Sequence, residues 1–260
     1  MISHNFKKKF GQNFIFDKNL LSAIVLDADV GEDDEVLEIG AGAGTLTEAI
    51  SQKAKKVVSY EIDKELENHL ESLNLKNAKF VFGDVMKHDL KDIESDFEGG
   101  YKIIANLPYY ITTPIIFKFL AYSKKIESLC IMVQKEVAER MVAGKGSKDY
   151  GVLSIMIDFY GSAQIKRIVN REMFHPKPNV DSAICLIKID REKNKNIDGE
   201  KFYKFIQTCF SMRRKTIKNN LLKLEGKKEK ILSLPANILE KRPEEFSSQE
   251  FLELFNNIYY

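Results

Sequence analysis

Short apolar runs alternate with segments of helical periodicity along the first two-thirds of the chain. The runs that predict strands are Glu35–Ile39, Val57–Tyr60, Ala78–Phe82, Tyr101–Ala105 and Ser128–Val133. Helices are predicted between them, at Thr45–Ala54, at Lys64–Leu73 and from near Pro114. Strands and helices in this alternation are typical of βαβ crossovers, so the pattern predicts an α/β fold with a mostly parallel sheet covered on both faces.

The last third of the chain changes character. Three further strands are predicted at Val152–Phe159, Ala163–Val169 and Ala183–Ile189, the last two as an antiparallel pair at an edge of the sheet. Asp190–Glu200 is polar and nearly free of apolar residues, which predicts a linker. Only helical or loop-like segments follow, so we expect a catalytic domain at residues 1–190 and a small all-α C-terminal domain at residues 200–260.

Charge is balanced over the whole chain and unbalanced along it. The formal net charge is +2, but Glu61–Gly100 holds eleven acids against five Lys, and Lys201–Lys230 holds ten Lys and Arg against two Glu. Such asymmetry can mark a face that binds nucleic acid. A Lys-rich, solvated helix would give the same composition, and charge alone leaves both interpretations open.

Several function classes find no support in the composition. Cys130, Cys185 and Cys209 are far apart and the four His are scattered, so neither a disulfide framework nor a metal site is predicted, and the thiols are expected in the core. Met1–Phe10 lacks the apolar stretch of a signal peptide, and no apolar run approaches the ~20 residues of a membrane span. A cytoplasmic protein without membrane contact is expected.

The first predicted strand runs into a glycine-rich turn, where Gly40, Gly42 and Gly44 alternate with alanines. Glycines at a strand-to-helix turn let the backbone approach a ligand closely. A dinucleotide site would need a small residue three positions after Gly42, and Thr45 stands there instead. The pattern therefore favours a ligand with a nucleoside and an amino acid but no phosphates, although a tight structural turn is the alternative.

Carboxylates close the next two strands. Glu61 is placed to accept both hydroxyls of a ribose, and Asp84 is placed to accept from an adenine amino group. Either could instead be a helix cap or a surface carboxylate. Together with the glycine turn they match the pattern of methyltransferases that use S-adenosylmethionine, with Ile62 and Val85 as neighbouring candidates for cofactor contact.

The fourth strand leads directly into Asn106-Leu107-Pro108-Tyr109, which resembles the motif that amino-group methyltransferases use on nucleobases. The lone pair of adenine N6 is delocalised into the ring. If the Asn106 side-chain oxygen and the Leu107 carbonyl accept its two hydrogens, the nitrogen can pyramidalise and aim at the methyl donor. Pro108 stiffens the turn, and Tyr109 offers a face for stacking. An ordinary Asn-x-Pro turn is the alternative.

A second aromatic candidate is Phe174, which lies on a loop stiffened by Pro176 and Pro178. It could stack on the other face of a flipped base. Alternatively, it is a loop phenylalanine tucked into the core.

Over nearly its whole length the chain resembles the ribosomal RNA adenine N6,N6-dimethyltransferases. The matching segments are Lys9–Phe14, Glu38–Gly42, Glu61–Asp63, Gly83-Asp84, Asn106–Tyr109, Gln134–Glu136, Phe174–Pro178, Val180–Ala183 and Arg213–Ile217. The resemblance implies a Rossmann-like class I methyltransferase sheet with a small helical C-terminal domain. It also implies that Gln12, Asn13 and Ile15 close over the cofactor, S-adenosylmethionine, from an N-terminal segment.

Two branches of this family compete. One dimethylates two adjacent adenosines near the 3′ end of small-subunit (16S) rRNA during maturation of the 30S particle, and Leu107, Val180–Ala183 and Arg213–Leu221 resemble that branch. The other modifies a large-subunit (23S) adenosine and confers macrolide resistance. A non-catalytic assembly factor is disfavoured by the intact Glu61 and Asp84, and a DNA methyltransferase by the lack of a target-recognition domain.

Selection of one RNA site needs contacts outside the base pocket, because a flipped adenine carries no information about its surroundings. The candidates for RNA contact are Arg213, Arg214, Lys215 and Lys218, predicted around one helix start. We expect a monomer that acts on rRNA within an immature small subunit, without a metal.

Overall fold

The computed structural model describes residues 14–107 and 111–260. In chain order its strands are β1 (Phe14–Ile15), β2 (Glu35–Ile39), β3 (Lys56–Glu61), β4 (Ala78–Phe82), β5 (Tyr101–Asn106), β6 (Ile126–Gln134), β7 (Gly161–Val169), β8 (Phe174–His175) and β9 (Ser182–Ile189). Its helices are α1 (Lys18–Asp27), α2 (Thr45–Ser51), α3 (Glu67–Ser72), α4 (Leu90–Ser95), α5 (Thr112–Tyr122), α6 (Lys135–Met141), α7 (Val152–Tyr160), α8 (Gly199–Cys209), α9 (Ile217–Leu221), α10 (Lys228–Leu232), α11 (Ala236–Leu239) and α12 (Ser248–Tyr259).

Within the described residues, seven strands form one sheet in the order β4-β3-β2-β5-β6-β9-β7. The pairs β3–β4, β2–β3, β2–β5 and β5–β6 are parallel, whereas β9 runs antiparallel to β6. The predicted mostly parallel sheet with an antiparallel edge is confirmed. The sequence also placed the last two strands together, and β9 and β7 are neighbours in the sheet.

The register brings the ends of four strands to one edge of the sheet. Ile39 at the end of β2 lies opposite Tyr60 of β3 and Ala105 of β5. Glu61 in turn lies opposite Phe82 at the end of β4. Residues that immediately follow these strands are therefore neighbours in space, although the chain separates them widely.

The central strands are apolar because helices cover them. All five residues of β2 are buried. One hydrophobic cluster packs α1 and α2 against the sheet, and its members include Ile24, Ile50, Ile104 and Ile184. Such continuous burial is expected of a parallel sheet whose faces are shielded from water.

The strand predicted at Val152–Phe159 is wrong, because these residues form helix α7. The run is almost uniformly apolar, and periodicity cannot distinguish a short buried strand from a buried helix. A local signal does mark the helix start. The Ser154 hydroxyl accepts a hydrogen bond of 3.0 Å from the backbone N–H of Gly151, in the manner of a helix cap.

The chain folds into two compact units. The first extends to Ala138 and includes Ala163–Ile189, and the second comprises Glu139–Ser162 and Asp190–Tyr260. The sequence predicted a break near residue 190 but placed α7 with the catalytic domain. In the second unit the ring of Phe159 on α7 instead stacks on Phe202 of α8, with centroids 4.7 Å apart.

Three further expectations concern cysteine pairing, clusters of metal ligands and membrane-spanning helices. Cys130, Cys185 and Cys209 are buried free thiols, as predicted. No group of three or more potential ligands among the described residues could hold a metal ion. None of the helices in this part of the chain is both long and apolar enough to cross a membrane.

Candidate active site

The predicted cofactor and catalytic residues that the structure describes, Phe174 excepted, line one cavity at the shared edge of the strand ends. They are Ile15, Gly40, Gly42, Glu61, Ile62, Asp84, Val85, Asn106 and Leu107. The cavity lies at the carboxyl ends of the parallel strands, where ligands of open α/β sheets bind. Gln12, Asn13, Pro108 and Tyr109 lie outside the described residues, so their predicted roles stay predictions.

The glycine turn and Glu61 are joined by a hydrogen bond. The backbone N–H of Gly42 donates to Glu61 Oε2 at 2.8 Å, and the N–H of Asp63 donates to Oε1 at 2.8 Å. Gly42 has φ +55°, and a Cβ there would lie 2.9 Å from a ring carbon of Phe14. A larger residue would therefore disturb both the backbone conformation and the neighbouring ring.

Glu61 is held in a shielded, acceptor-rich position. Its side chain is 4% exposed, and this burial raises the pKa of its carboxyl, while the hydrogen bonds from Asp63 and Gly42 lower it. A carboxylate has about four lone-pair positions, and these two bonds use only part of them. Glu61 can thus accept ribose hydroxyls while it also fixes the glycine turn, a second role that the sequence did not indicate.

Asp84 caps a single 3-10 turn at Val85–Lys87. Its Oδ1 accepts a hydrogen bond of 3.0 Å from the backbone N–H of Met86. The sequence left open whether Asp84 is a cap or an adenine acceptor, and the cap occupies only one of its two oxygens. Oδ2 has no hydrogen-bond partner among the described residues, so the geometry permits both roles.

The N-terminal segment reaches the cavity through a short strand pair. β1 is antiparallel to β8, with Ile15 opposite Phe174. The Thr45 hydroxyl, at the start of α2, donates to the Ile15 carbonyl at 2.9 Å. Ile15 thereby lies beside the glycine turn, and its closure over the cofactor stays a prediction. Its pairing with the Phe174 segment carried no signal in the sequence.

Asn106 ends β5, opposite Met132 of β6, and Leu107 follows it as a buried residue. Both line the cavity beside Glu61 and Asp84. Gly40 lies close by, since a Cβ added there would be 3.5 Å from the Asn106 carbonyl oxygen. The cofactor residues and the predicted catalytic asparagine thus share one cavity.

Phe174 lies in the hydrophobic core, whereas its predicted role of stacking on the target base requires a place in the cavity. Its side chain is 5% exposed and belongs to the hydrophobic cluster that also contains Ile15 and Leu20. It is not among the residues that line the cavity. Stacking on a flipped base would require the ring to leave this core, so that role stays a prediction.

Glu38 is a fully buried carboxyl to which the sequence assigned no role of its own. Its Oε2 accepts from the hydroxyls of Thr47 at 2.5 Å and Ser59 at 2.6 Å, while its Oε1 has no partner among the described residues. Burial raises the pKa of Glu38 to about 7, against those two hydrogen bonds, and the nearby charge of Glu61 raises it further. The one available signal was a glutamate next to the last residue of a strand whose other interior residues are apolar.

The predicted RNA-contact residues divide into two groups. Arg213 Nη2 donates to the carbonyls of Lys148 at 2.7 Å and Tyr150 at 3.2 Å, both within the second unit. Arg214, Lys215 and Lys218 are exposed, and none forms an ion pair with a carboxylate in the described part of the chain. Only Lys218 lies in α9, since the other three precede it in a turn.

Comparison with known proteins decides the family. The family model described as ribosomal RNA adenine dimethylase matches residues 3–258. The chain belongs to this family. A relative from Caldanaerobacter subterraneus subsp. tengcongensis, named ribosomal RNA small subunit methyltransferase A, is 42% identical over 97% of each chain. A relative of the same name from Fusobacterium nucleatum is 41% identical over 95% of this chain and 96% of its own.

Solved structures agree on the fold of this dimethylase family member. A dimethyladenosine transferase from Plasmodium falciparum superposes with a TM-score of 0.79 at 27% identity and covers 93% of this chain and 95% of its own. The 23S rRNA methyltransferase ErmE superposes at 0.69 with 24% identity, over 95% of this chain and 100% of its own. The dimethylase chain therefore has the class I methyltransferase fold that its sequence implies.

The cavity also suits the cofactor of this S-adenosylmethionine-dependent family. The Gly42 position leaves no room for a side chain, and the buried Glu61 and half-buried Asp84 provide anionic acceptors at its wall. These are the groups that a nucleoside with two hydroxyls and an amino group requires. No basic residue lines the described cavity, as fits a ligand without phosphates.

Proposed function

We propose that this dimethylase transfers methyl groups from S-adenosylmethionine to N6 of two adjacent adenosines near the 3′ end of small-subunit rRNA. The observation that carries the proposal is the position of Asn106, the last residue of β5, in the cavity that Glu61 and Asp84 also line. The product would be N6,N6-dimethyladenosine, formed during assembly of the 30S particle.

S-adenosylmethionine supplies an electrophilic methyl group on a positively charged sulfur. Asn106 and Leu107 supply orientation: the amide oxygen and the backbone carbonyl accept the two N6 hydrogens of the target adenine. The nitrogen then directs its lone pair away from the ring plane. No strong base is required, because the proton becomes acidic only after transfer, and catalysis consists mostly of placement and electrostatics.

Dimethylation follows from the same placement. After one transfer the nitrogen retains one hydrogen, and a single acceptor still orients it. A second cycle then adds the second methyl group to the same nitrogen.

The small-subunit substrate is supported by the relatives, several of which carry the name ribosomal RNA small subunit methyltransferase A. The 23S rRNA methyltransferase ErmE, at 24% identity, is similar in fold and gives no support to the alternative large-subunit substrate. We propose that Arg214, Lys215 and Lys218 contact the phosphate backbone of the folded rRNA, since they are exposed cations without an ion-pair partner among the described residues. Arg213 would support them from within the turn.

The test compares three substrates: small subunits that lack the modification, large subunits and duplex DNA. Each receives enzyme and labelled S-adenosylmethionine, and nucleosides from the digested product are identified by mass spectrometry. We expect dimethyladenosine from the small subunits alone, with Asn106→Ala as the inactive control. Methyl transfer into large subunits, or a monomethyl product at completion, would contradict the proposal. Sedimentation of the enzyme would test the predicted monomer, and cell fractionation its cytoplasmic location.

A further inference from the structure

Lys118, on helix α5, contacts the loop that carries Asp84. Its Nζ donates hydrogen bonds to three backbone carbonyls, those of Val85 at 2.8 Å, Met86 at 3.2 Å and His88 at 2.7 Å. An ammonium group has three N–H donors, so the side chain is fully used in binding this one loop. Few surface lysines are engaged in this way, because most keep their charge in water.

The location of Lys118 connects two parts of the site. Ile115 and Lys118 are three residues apart and so lie on one side of α5. Ile115 lines the cavity, as does Ile111 immediately before the helix. The helix itself begins just after the Asn106 segment. Lys118 therefore joins the helix that follows the proposed catalytic residues to the turn that follows β4.

Besides Lys118, the loop is held by the buried side chain of Val85 and by the ring of His88, which packs edge-on against Tyr60 with centroids 5.1 Å apart. The single 3-10 turn at Val85–Lys87 is held by the Asp84 cap to Met86 and by one backbone bond from Lys87 to Asp84. Three carbonyls of this loop accept hydrogen bonds from Lys118, while Asp84 and Val85 line the cavity. The orientation of Asp84 Oδ2 thus depends on how firmly this turn is held.

The ammonium group of Lys118 is partly desolvated. Burial lowers its pKa, and the charges of Asp84 and Asp89 only partly offset this effect. A partly desolvated lysine keeps its proton when neighbouring carboxylates and aligned carbonyl dipoles replace the lost water.

We propose that Lys118 is a positioning residue for the adenine subsite: it holds the turn at Val85–Lys87 so that Asp84 can accept from the adenine amino group of the cofactor. The inference rests on the proposed function, since it assumes that the cofactor adenine binds at Asp84. Lys118 itself touches neither cofactor nor substrate, so its effect is expected in recognition of the 6-amino group.

The test uses S-adenosylhomocysteine and S-inosylhomocysteine. In the inosine analogue a carbonyl replaces the 6-amino group, and the neighbouring N1 carries a hydrogen. Calorimetry gives the affinity of each variant for both ligands. For Lys118→Met we expect about a tenfold weaker affinity for S-adenosylhomocysteine, the size of one charge-assisted hydrogen bond. The inosine analogue should lose about twofold, so the preference for adenine shrinks. The Asp84→Asn background should abolish this change, because Lys118 would act through Asp84.

The chain offers a matched control in Lys125. This half-buried lysine donates to the carbonyls of Glu94 at 3.2 Å and Phe97 at 2.8 Å, and neither residue lines the cavity. Lys125→Met should therefore leave the ligand preference unchanged, even where it lowers the unfolding temperature of the free protein. If Lys118→Met does not fold, Lys118→Gln keeps two of the three donors and should show an intermediate loss of preference.

The outcomes separate the inference from the function on which it rests. An undiminished adenine preference in Lys118→Met or Lys118→Gln would overturn the positioning role. Failure of the unmodified protein to bind S-adenosylhomocysteine at all would overturn the proposed function itself. A reduced preference in the Lys118 variants with a normal preference in Lys125→Met would establish the role.

Discussion

Replacing Glu61 by glutamine tests the centre of the cofactor site. The change keeps the size and shape of the side chain but removes its charge and turns one acceptor oxygen into an NH2 donor. In the structure both carboxylate oxygens face backbone donors, Gly42 N–H at Oε2 and Asp63 N–H at Oε1. Whichever way the amide is oriented, one of these N–H groups meets another donor.

The expected loss follows from that geometry. One backbone N–H loses its charged acceptor, and the remaining amide oxygen is a weaker acceptor for a ribose hydroxyl. A hydrogen bond to a charged group contributes about 1.5–3 kcal/mol, so the affinity for S-adenosylhomocysteine should fall roughly 10- to 100-fold. Fold stability should change by less than about 1 kcal/mol, because glutamine also relieves the cost of burying the charge that raises the Glu61 pKa.

The assay is titration calorimetry of S-adenosylhomocysteine binding, with thermal unfolding of the free protein alongside. Glu67→Gln, an exposed carboxylate at the start of α3, is the matched control and should bind normally. The pH profile gives a second readout. Because burial raises the pKa of Glu61, affinity should weaken on acidification at a higher pH than an ordinary glutamate would cause, and Glu61→Gln should lack this step. Unchanged affinity in Glu61→Gln would remove Glu61 from the site.

Three further predictions concern other parts of the chain. Asn106→Ala should lower the single-turnover methylation rate by about 100-fold or more while binding of small subunits persists, since the hydrogen bond from N6 to Asn106 matters most in the transition state. A near-normal rate would exclude Asn106 as the residue that orients N6. Burial raises the pKa of Glu38 from 4.5 to about 7. The protonated carboxyl therefore contributes to the free energy of unfolding below pH 4.5, and this contribution is lost as the pH rises through 7. Urea unfolding should therefore show Glu38→Gln exceeding the unmodified protein by up to about 3 kcal/mol at pH 8 and by little at pH 5, whereas parallel pH profiles would refute this. Replacing Arg214, Lys215 and Lys218 by Ala should flatten the salt dependence of subunit binding by about one unit of slope per lost phosphate contact, and an unaltered slope would place the RNA contacts elsewhere.

The sequence predicted the position of the site because parallel strands end at one edge of their sheet. Once β2, β3, β4 and β5 were recognised, the residues that follow them had to be neighbours. The register confirms this, with Ile39, Tyr60 and Ala105 level across the central strands. Hydrogen bonds between these neighbours were beyond prediction, since the Gly42 to Glu61 bond depends on a backbone conformation that only the fold determines.

Prediction failed where one local pattern suits two structures. Val152–Phe159 is apolar at nearly every position, so its burial was evident but its helical conformation was not. Arg213 and Arg214 are adjacent, chemically alike and both exposed, yet Arg213 donates to two backbone carbonyls and Arg214 makes no such bond within the described residues. A run of basic residues reveals charge density, and only the surrounding carbonyls decide which cation is available to a ligand.

The cavity combines groups predicted to touch the cofactor with groups that hold them in place. Glu61 is bonded to the glycine turn, and the Ile15 carbonyl accepts from Thr45. Each of these bonds connects chain segments that meet only through the fold. A side chain contributes its full interaction energy to binding only when its position is fixed in the free protein. Otherwise part of that energy is lost in ordering the side chain when the ligand binds. Substitutions that weaken cofactor binding should therefore include residues such as Thr45 that fix the wall of the cavity, and their effect should appear as a loss of affinity out of proportion to the loss of fold stability.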